Sequence, residues 1–316
     1  MLAPSLSDEA AGVPASAAPQ GGPEEGSYRD MAGQTTHRGA ERALLEDFSL
    51  EMTGKDVAGL EEAAASIPPG TRVNVTFLGN EDLPMRVGAA AAVRRLGFVP
   101  VPHISARRLG SQAELEEFLG ALAAEAAVED AFVVAGDPAE PMGPYDDSLA
   151  LIGSGLLGRY GIRQVGISGY PEGHPEIDSA RLWTVLLQKC AALQAQNLQP
   201  TIITQFGFDV DPVLDWLADL RRRGVDAPVR IGVPGPAGVK RLLAFARRFG
   251  VASSAGIVHK YGFSLANLLG TAGPDRFVGE LARRLDAADH GPVQLHFYTF
   301  GGLKATAEWV RKAAAA

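Results

Sequence analysis

The chain has 316 residues, 46% hydrophobic and 21% charged, the mix of a protein that buries a sizeable core. With a formal net charge of -8 and no basic run longer than Arg221-Arg222-Arg223, it lacks the positive stripe that a phosphate backbone needs, which excludes nucleic acid as a partner. No apolar run approaches the roughly 20 residues of a membrane span, and the single cysteine, Cys190, cannot close an internal disulfide, which fits a reducing cytoplasm.

In chain order, residues 1–40 are rich in Ala, Gly, Pro, Ser and acidic residues and poor in large apolar ones. They lack the basic start and contiguous apolar core of a secretory signal and are expected to form a disordered tail. From 41 to 316 one rhythm holds: a short β-branched or aromatic run, a loop, then a stretch with helical spacing. The runs predict strands at Asp47–Met52, Arg72–Leu78, Val99–Ile104, Ala131–Ala135, Gln164–Ser168, Thr201–Phe206, Val229–Val233 and Val293–Phe300. Helical patterns lie between them at Leu83–Leu96, Gln112–Ala126, Asp178–Gln196, Pro212–Arg223 and Val239–Phe249, and Leu303–Lys312 follows the last run. Ser111 before Glu114 predicts a capping box, and Gly224 after the Arg triplet predicts a helix stop. Between the seventh and eighth runs there is room for two helices, near Ser264–Leu269 and Pro274–Leu285.

Strands joined by crossover helices run parallel. Eight such units predict a single-domain α/β protein, a (β/α)8 TIM barrel, which typically takes about 250 residues. A doubly wound open sheet is the competing arrangement. Against it, no Gly-x-Gly-x-x-Gly turn follows the first strand and no acidic residue stands where that fold binds ribose. Barrel enzymes carry their chemistry at the C-terminal ends of the strands. Those ends offer Glu51, Thr76, His103, Asp137, then Tyr170, Glu172 and His174, then Gln205, and finally Tyr298 and Thr299. Each has a structural explanation of its own: Glu51 as a helix cap, His103 as a satisfied rim histidine, Asp137 as a turn former in Gly-Asp-Pro, Gln205 as a buried amide. Their convergence on one rim points to a site. Cys190 has no nearby His partner or helix start and reads as a buried small hydrophobe. No set of residues is assigned to a metal.

Three stretches carry a resemblance. Gly169-Tyr170-Pro171-Glu172-Gly173-His174-Pro175-Glu176, Thr204-Gln205-Phe206-Gly207-Phe208-Asp209 and His296-Phe297-Tyr298-Thr299 resemble signature segments of the methylenetetrahydrofolate reductase family. Pro102-His103, Gly136-Asp137-Pro138 and Glu51 support it in the same order, over about Phe48 to Trp309. The resemblance implies that Glu51 is the general acid that opens methylenetetrahydrofolate to a reactive iminium. It gives Asp137 and Gln205 the pterin to hydrogen-bond, Asp137 sharing in catalysis, with donors and acceptors that suit a fused heterocycle. Phe245 matches an aromatic lying against folate or nicotinamide, and Tyr298 joins the substrate side. Thr76, His103, Gly136, Tyr170 and His174 match positions around a flavin.

The chain also departs from the family. Ala135 stands where an Arg usually precedes Gly-Asp, and Trp183, Leu186, Lys189 and Cys190 stand where the family supplies an Asp, an Asn and basic groups to the flavin's ribose and phosphates. Lys189 is left as the surviving phosphate contact, with Arg107 the first replacement to examine. Lys304 takes the place of a folate-binding Arg, although a point charge does not copy an Arg fork. The resemblance therefore implies a divergent branch, with FAD held less than tightly. Its reaction is hydride transfer between methylene- and methyltetrahydrofolate with NADH or NADPH, through FAD. Two alternatives stay open: a flavin-free or oxidatively working member in methyl-group breakdown, and a non-redox folate-binding or methyl-transfer partner. The oligomeric state, a homo-oligomer included, is also open.

Overall fold

The computed structural model describes residues 39–248 and 271–315. The β-branched runs form β1 (Ser49–Met52), β2 (Arg72–Val75), β3 (Val99–Ser105), β4 (Asp130–Val134), β5 (Gln164–Gly169), β6 (Gln199–Phe206), β7 (Val229–Pro234) and, after a two-stranded ribbon of β8 (Ala237–Gly238) and β9 (Thr271–Ala272), β10 (Val293–Tyr298). The eight long strands close into a parallel barrel in the order β1-β10-β7-β6-β5-β4-β3-β2. The expected (β/α)8 fold is present, and the open sheet is not. Of the expected helices, Leu83–Arg95, Gln112–Ala126, Ser179–Ala195, Val210–Arg222, Val239–Arg248, Asp275–Arg284 and Leu303–Ala315 are observed. The expected helix at Ser264–Leu269 lies outside the described residues. A helix at 39–46 takes in the last two residues of the stretch read as tail, the rest of which is also outside them.

Local chemistry explains the boundaries. Ser111 Oγ accepts from Glu114 N, and the Glu114 carboxylate reaches back to Gly110 N, so the capping box closes one residue earlier than its ideal form. Asp82, Asp147 and Asp178 likewise cap other helices by accepting from the backbone N three residues on. Gly224, at φ 77°, turns the chain out of the helix Val210–Arg222 as expected.

Strand alternation divides the barrel residues into two sets. Leu50, Met52, Val73, Val75, Ile231, Val233, Leu295 and Phe297 join the core between strands and helices. Their neighbours in sequence turn inward. Some of these are apolar, and Val101, Phe132 and Ile203 form a separate cluster. The others are polar and buried: Ser49, Asn74, His103, Arg230 and His296.

The two ends of the interior differ. At the N-terminal end, Arg230 donates to the Asp47 carbonyl at 2.6 Å and its carboxylate at 2.8 Å, while Arg72 reaches both Asp47 (3.1 Å) and Asp130 (3.2 Å). This network ties β7, β1, β2 and β4 together across the floor. Burial lowers the Arg230 pKa and raises that of Asp130, so desolvation outweighs the partners at both groups. Nearer the opposite end the β6–β7 register shifts between Ile203 and Phe206. Gly232 N donates to Thr204 Oγ1 at 2.8 Å, and a Cβ on Gly232 would overlap the Thr204 carbonyl, so this irregularity requires glycine.

The floor network generates a test. Asp47→Ala leaves the Arg230 guanidinium, only 6% exposed, with the residue-47 carbonyl but without its carboxylate partner, while Asp47 itself keeps half its surface in water. The expected loss is about 3 kcal/mol, the low end for a broken buried pair. Urea unfolding with a midpoint unchanged from wild type would show that the network is not holding the barrel.

Candidate active site

At the C-terminal ends of β1, β3 and β10 three side chains meet. Glu51 Oε2 lies 3.8 Å from His103 Nε2 and 3.6 Å from His296 Nε2. The spacing follows from the fold: Ser49 and Glu51, and His296 and Tyr298, are two apart on their strands and share the inward face, while Ser49 pairs with His296 in the β1–β10 register. His296 Nδ1 is 2.9 Å from Ser49 Oγ, whereas its Nε2 is buried without a hydrogen bond. Both imidazoles thus turn Nε2 toward one carboxylate oxygen. The motifs do not single out His296 as a site residue, although strand alternation from Tyr298 points to it.

His103 packs its ring edge-on against Phe132 at 4.7 Å, and Asn74 Nδ2 sits 3.3 Å from its Nε2. Burial lowers its pKa to about 4, with Glu51 acting against the shift and His296 with it. It is therefore neutral at pH 7. Tyr298 donates to the Thr204 carbonyl at 3.1 Å, and burial, with Glu51 and Tyr170 nearby, holds its phenol well above the usual range. Phe206 meets Tyr298, Phe300 and Phe208 edge-on at 5.0 to 6.0 Å, giving this side of the mouth an aromatic wall. Thr299 Oγ1 donates to the Glu51 carbonyl at 2.6 Å and fixes the end of β1.

The pterin residues are each already engaged. Asp137, 73% exposed after β4, is clasped by Arg108, and the Gln205 side-chain oxygen, half-buried on β6, accepts from Phe206 N at 3.1 Å. β5 separates their strands, so they flank the mouth as non-adjacent groups. Gly136 has φ 96°, and a Cβ there would overlap Ser105 Oγ, which accounts for glycine before Asp137. Phe245 lies on the helix Val239–Arg248, its side chain outside the described residues. Lys304 is exposed in the first turn of the last helix.

The flavin residues divide by position. Thr76 Oγ1 is buried with no partner, and Tyr170 packs edge-on to His174 at 5.4 Å. Burial also raises the Tyr170 pKa, against a hydrogen bond with Ser168. Lys189, by contrast, is largely covered on the helix Ser179–Ala195; burial lowers its pKa, opposed by Asp147. Arg107 donates to the carbonyls of Asp146, Pro138 and Ala139 and is spent on the neighbouring loop after β4. A cavity of about 380 Å³ between the helices Ser179–Ala195 and Val210–Arg222 borders Tyr170, but Asp211, Asp215 and Asp219 line it, which suits no phosphate. Cys190 is buried, its thiol pushed up to about 11 by desolvation, as an inert core thiol requires. Among the described residues no group of three His, Cys, Asp or Glu is placed to hold a metal, and no helix is long and apolar enough to cross a membrane.

The neutral His103 makes a stability test. Its folded pKa, about 4, lies below the ordinary histidine value of 6.5, so its contribution is complete above 6.5 and is lost as pH falls toward 4. At about 1.4 kcal/mol per unit the loss reaches at most roughly 3 kcal/mol. Denaturant titrations of wild type and His103→Asn at pH 7 and 4.5 check this, the variant being the flatter. Equal pH slopes would remove His103 as the cause.

No family model matches the chain. A stretch of 84 residues is 33% identical to methylenetetrahydrofolate reductase 2 of Saccharomyces cerevisiae, covering 27% of this chain and 13% of the yeast protein. Among solved structures, a Clostridium thermocellum protein that binds two copies of 5-methyl-5,6,7,8-tetrahydrofolic acid superposes with a TM-score of 0.58 at 9% identity, over 87% of this chain and 98% of that one. Dihydropteroate synthase from Thermus thermophilus follows at a TM-score of 0.46 and 18% identity, over 86% of this chain and 95% of that one. The structural match speaks for the fold alone, and on the short sequence match the chain is similar to the methylenetetrahydrofolate reductases, as a divergent relative.

Proposed function

We propose that the protein interconverts methylene- and methyltetrahydrofolate by hydride transfer, with Glu51 as the proton donor. The observation that carries this reading is the Glu51 carboxyl at the barrel mouth, faced by the Nε2 atoms of His103 and His296. A simple binding module has no use for a carboxyl with two imidazoles arranged around it. The similarity to a reductase and the folate bound by the structural neighbour support the substrate class.

In this reading Asp137 and Gln205 orient the pterin from opposite sides of β5, and the aromatic wall of Phe206, Tyr298 and Phe300 keeps water from the reacting carbon. Glu51 passes a proton to the bridging nitrogen, whose bond to the one-carbon unit breaks and leaves an iminium. Ser49 holds the His296 ring through Nδ1, and His296 with His103 lines the space beside the Glu51 carboxyl. NADH or NADPH supplies the hydride that turns the iminium into a methyl group. Glu51→Gln is expected to lower turnover by about two to four orders of magnitude, the usual worth of general acid catalysis, with the unfolding midpoint unchanged. Steady-state rates within a few-fold of wild type would remove Glu51 from the chemistry.

FAD fits the described residues only at one end. Thr76 Oγ1, Tyr170 and His174 offer polar and aromatic contacts for a flavin ring, but Lys189 is covered by packing and Arg107 is bound to loop carbonyls, which leaves a diphosphate little to hold. The residues do not fit a tightly bound FAD. Each missing charge-assisted contact costs roughly 1.5–3 kcal/mol, and two or three weaken binding by several powers of ten. The protein is expected to purify with well under one FAD per chain, read from absorbance against protein concentration. A yellow protein that keeps one FAD per chain through dialysis would refute this.

A further inference from the structure

Among the exposed groups of the rim, Asp137 is held in more ways than its stability needs. Its loop is pinned from below by Arg107, whose N donates to the Ala135 carbonyl at 2.8 Å and whose carbonyl accepts from Met142 N at 2.8 Å. Its side chain is gripped by the next residue in sequence. Arg108, at the end of the turn Ala106–Arg108 that follows β3, donates both Nε (2.9 Å) and Nη2 (2.5 Å) to Asp137 Oδ1. Among the described residues no bond falls on Oδ2. The β2 loop completes the arrangement, because Gly79 leaves open the space the guanidinium fills, and a Cβ there would overlap it. Three successive rim loops thus converge to place one carboxylate.

An ion pair with a 73% exposed carboxylate adds little to folding. What the grip does is direct the group: two donors on Oδ1 occupy its lone pairs and leave Oδ2 to accept from a ligand. We infer that Arg108 is a positioning residue, which aims Asp137 Oδ2 at the N–H edge of the bound heterocycle and leaves the proton transfer at Glu51 untouched. This rests on the folate reading above and adds to it a residue that no motif of the sequence singles out.

The test uses the full chain, with 5-methyltetrahydrofolate as the probe in calorimetry and methylenetetrahydrofolate in steady-state rates. Arg108→Gln is expected to weaken probe binding and raise KM by about ten- to a hundredfold, as for a lost charge-assisted contact, with kcat within about threefold. Gly79→Ala keeps both charges and displaces only the flexible end of Arg108, so it should move KM the same way in a fully folded protein. The double variant Arg108→Gln with Asp137→Asn should bind no worse than Asp137→Asn alone, since both substitutions remove one action. Binding by Arg108→Gln and Gly79→Ala within about twofold of wild type, or losses that multiply in the double variant, would overturn the inference and leave the folate reading standing. A wild-type chain that neither binds the probe nor turns over the substrate would overturn the folate reading, and this inference with it.

Discussion

Closure of the barrel imposes the constraint on which everything else rests. Once β1 pairs with both β2 and β10, no sheet edge remains and each barrel residue faces either the helices or the enclosed interior. The outward set is almost uniformly aliphatic and carries the burial that stabilises the fold. The inward set is free to be polar, provided each group finds a partner. Ser49 finds His296, Asn74 finds His103 and Arg230 finds Asp47. Among the described residues Thr76 Oγ1, Ser105 Oγ, Thr201 Oγ1 and His296 Nε2 do not, and of these Thr76 and Ser105 lie toward the C-terminal end. Buried polar atoms left without partners are where a protein has given up stability for function.

The same interior treats charge differently at its two ends. At the floor, oppositely charged groups are matched and close the structure. At the mouth, burial pushes the His103 pKa down to about 4, so the ring is neutral beside a carboxyl. A charged imidazole in that place would pair with Glu51 and hold on to it. A neutral one leaves the carboxyl without a charged partner on that side.

Much of this was legible in the sequence, and the reason is periodicity. Runs such as Val229–Val233 and the caps at Ser111 and Gly224 are local features, and the elements they mark appear where expected. The convergence of Glu51, His103 and Tyr298 was also legible, because strand ends can be counted. Pairings between residues far apart in the chain were not. The Ser49–His296 contact depends on the β1–β10 register, and the Arg108–Asp137 grip on where a short turn after β3 points its side chain. Reading Lys189 as an available cation rests on counting along a helix, which takes no account of the packing that covers that side chain. Arg107 shows the same limit, since its guanidinium is used by carbonyls that no motif announces.

The charged floor has a kinetic consequence. With Arg230, Arg72, Asp47 and Asp130 drawn together below and Val101, Phe132 and Ile203 packed above them, the described residues close the floor end of the interior. Whatever reaches Glu51 must enter and leave past the same rim loops.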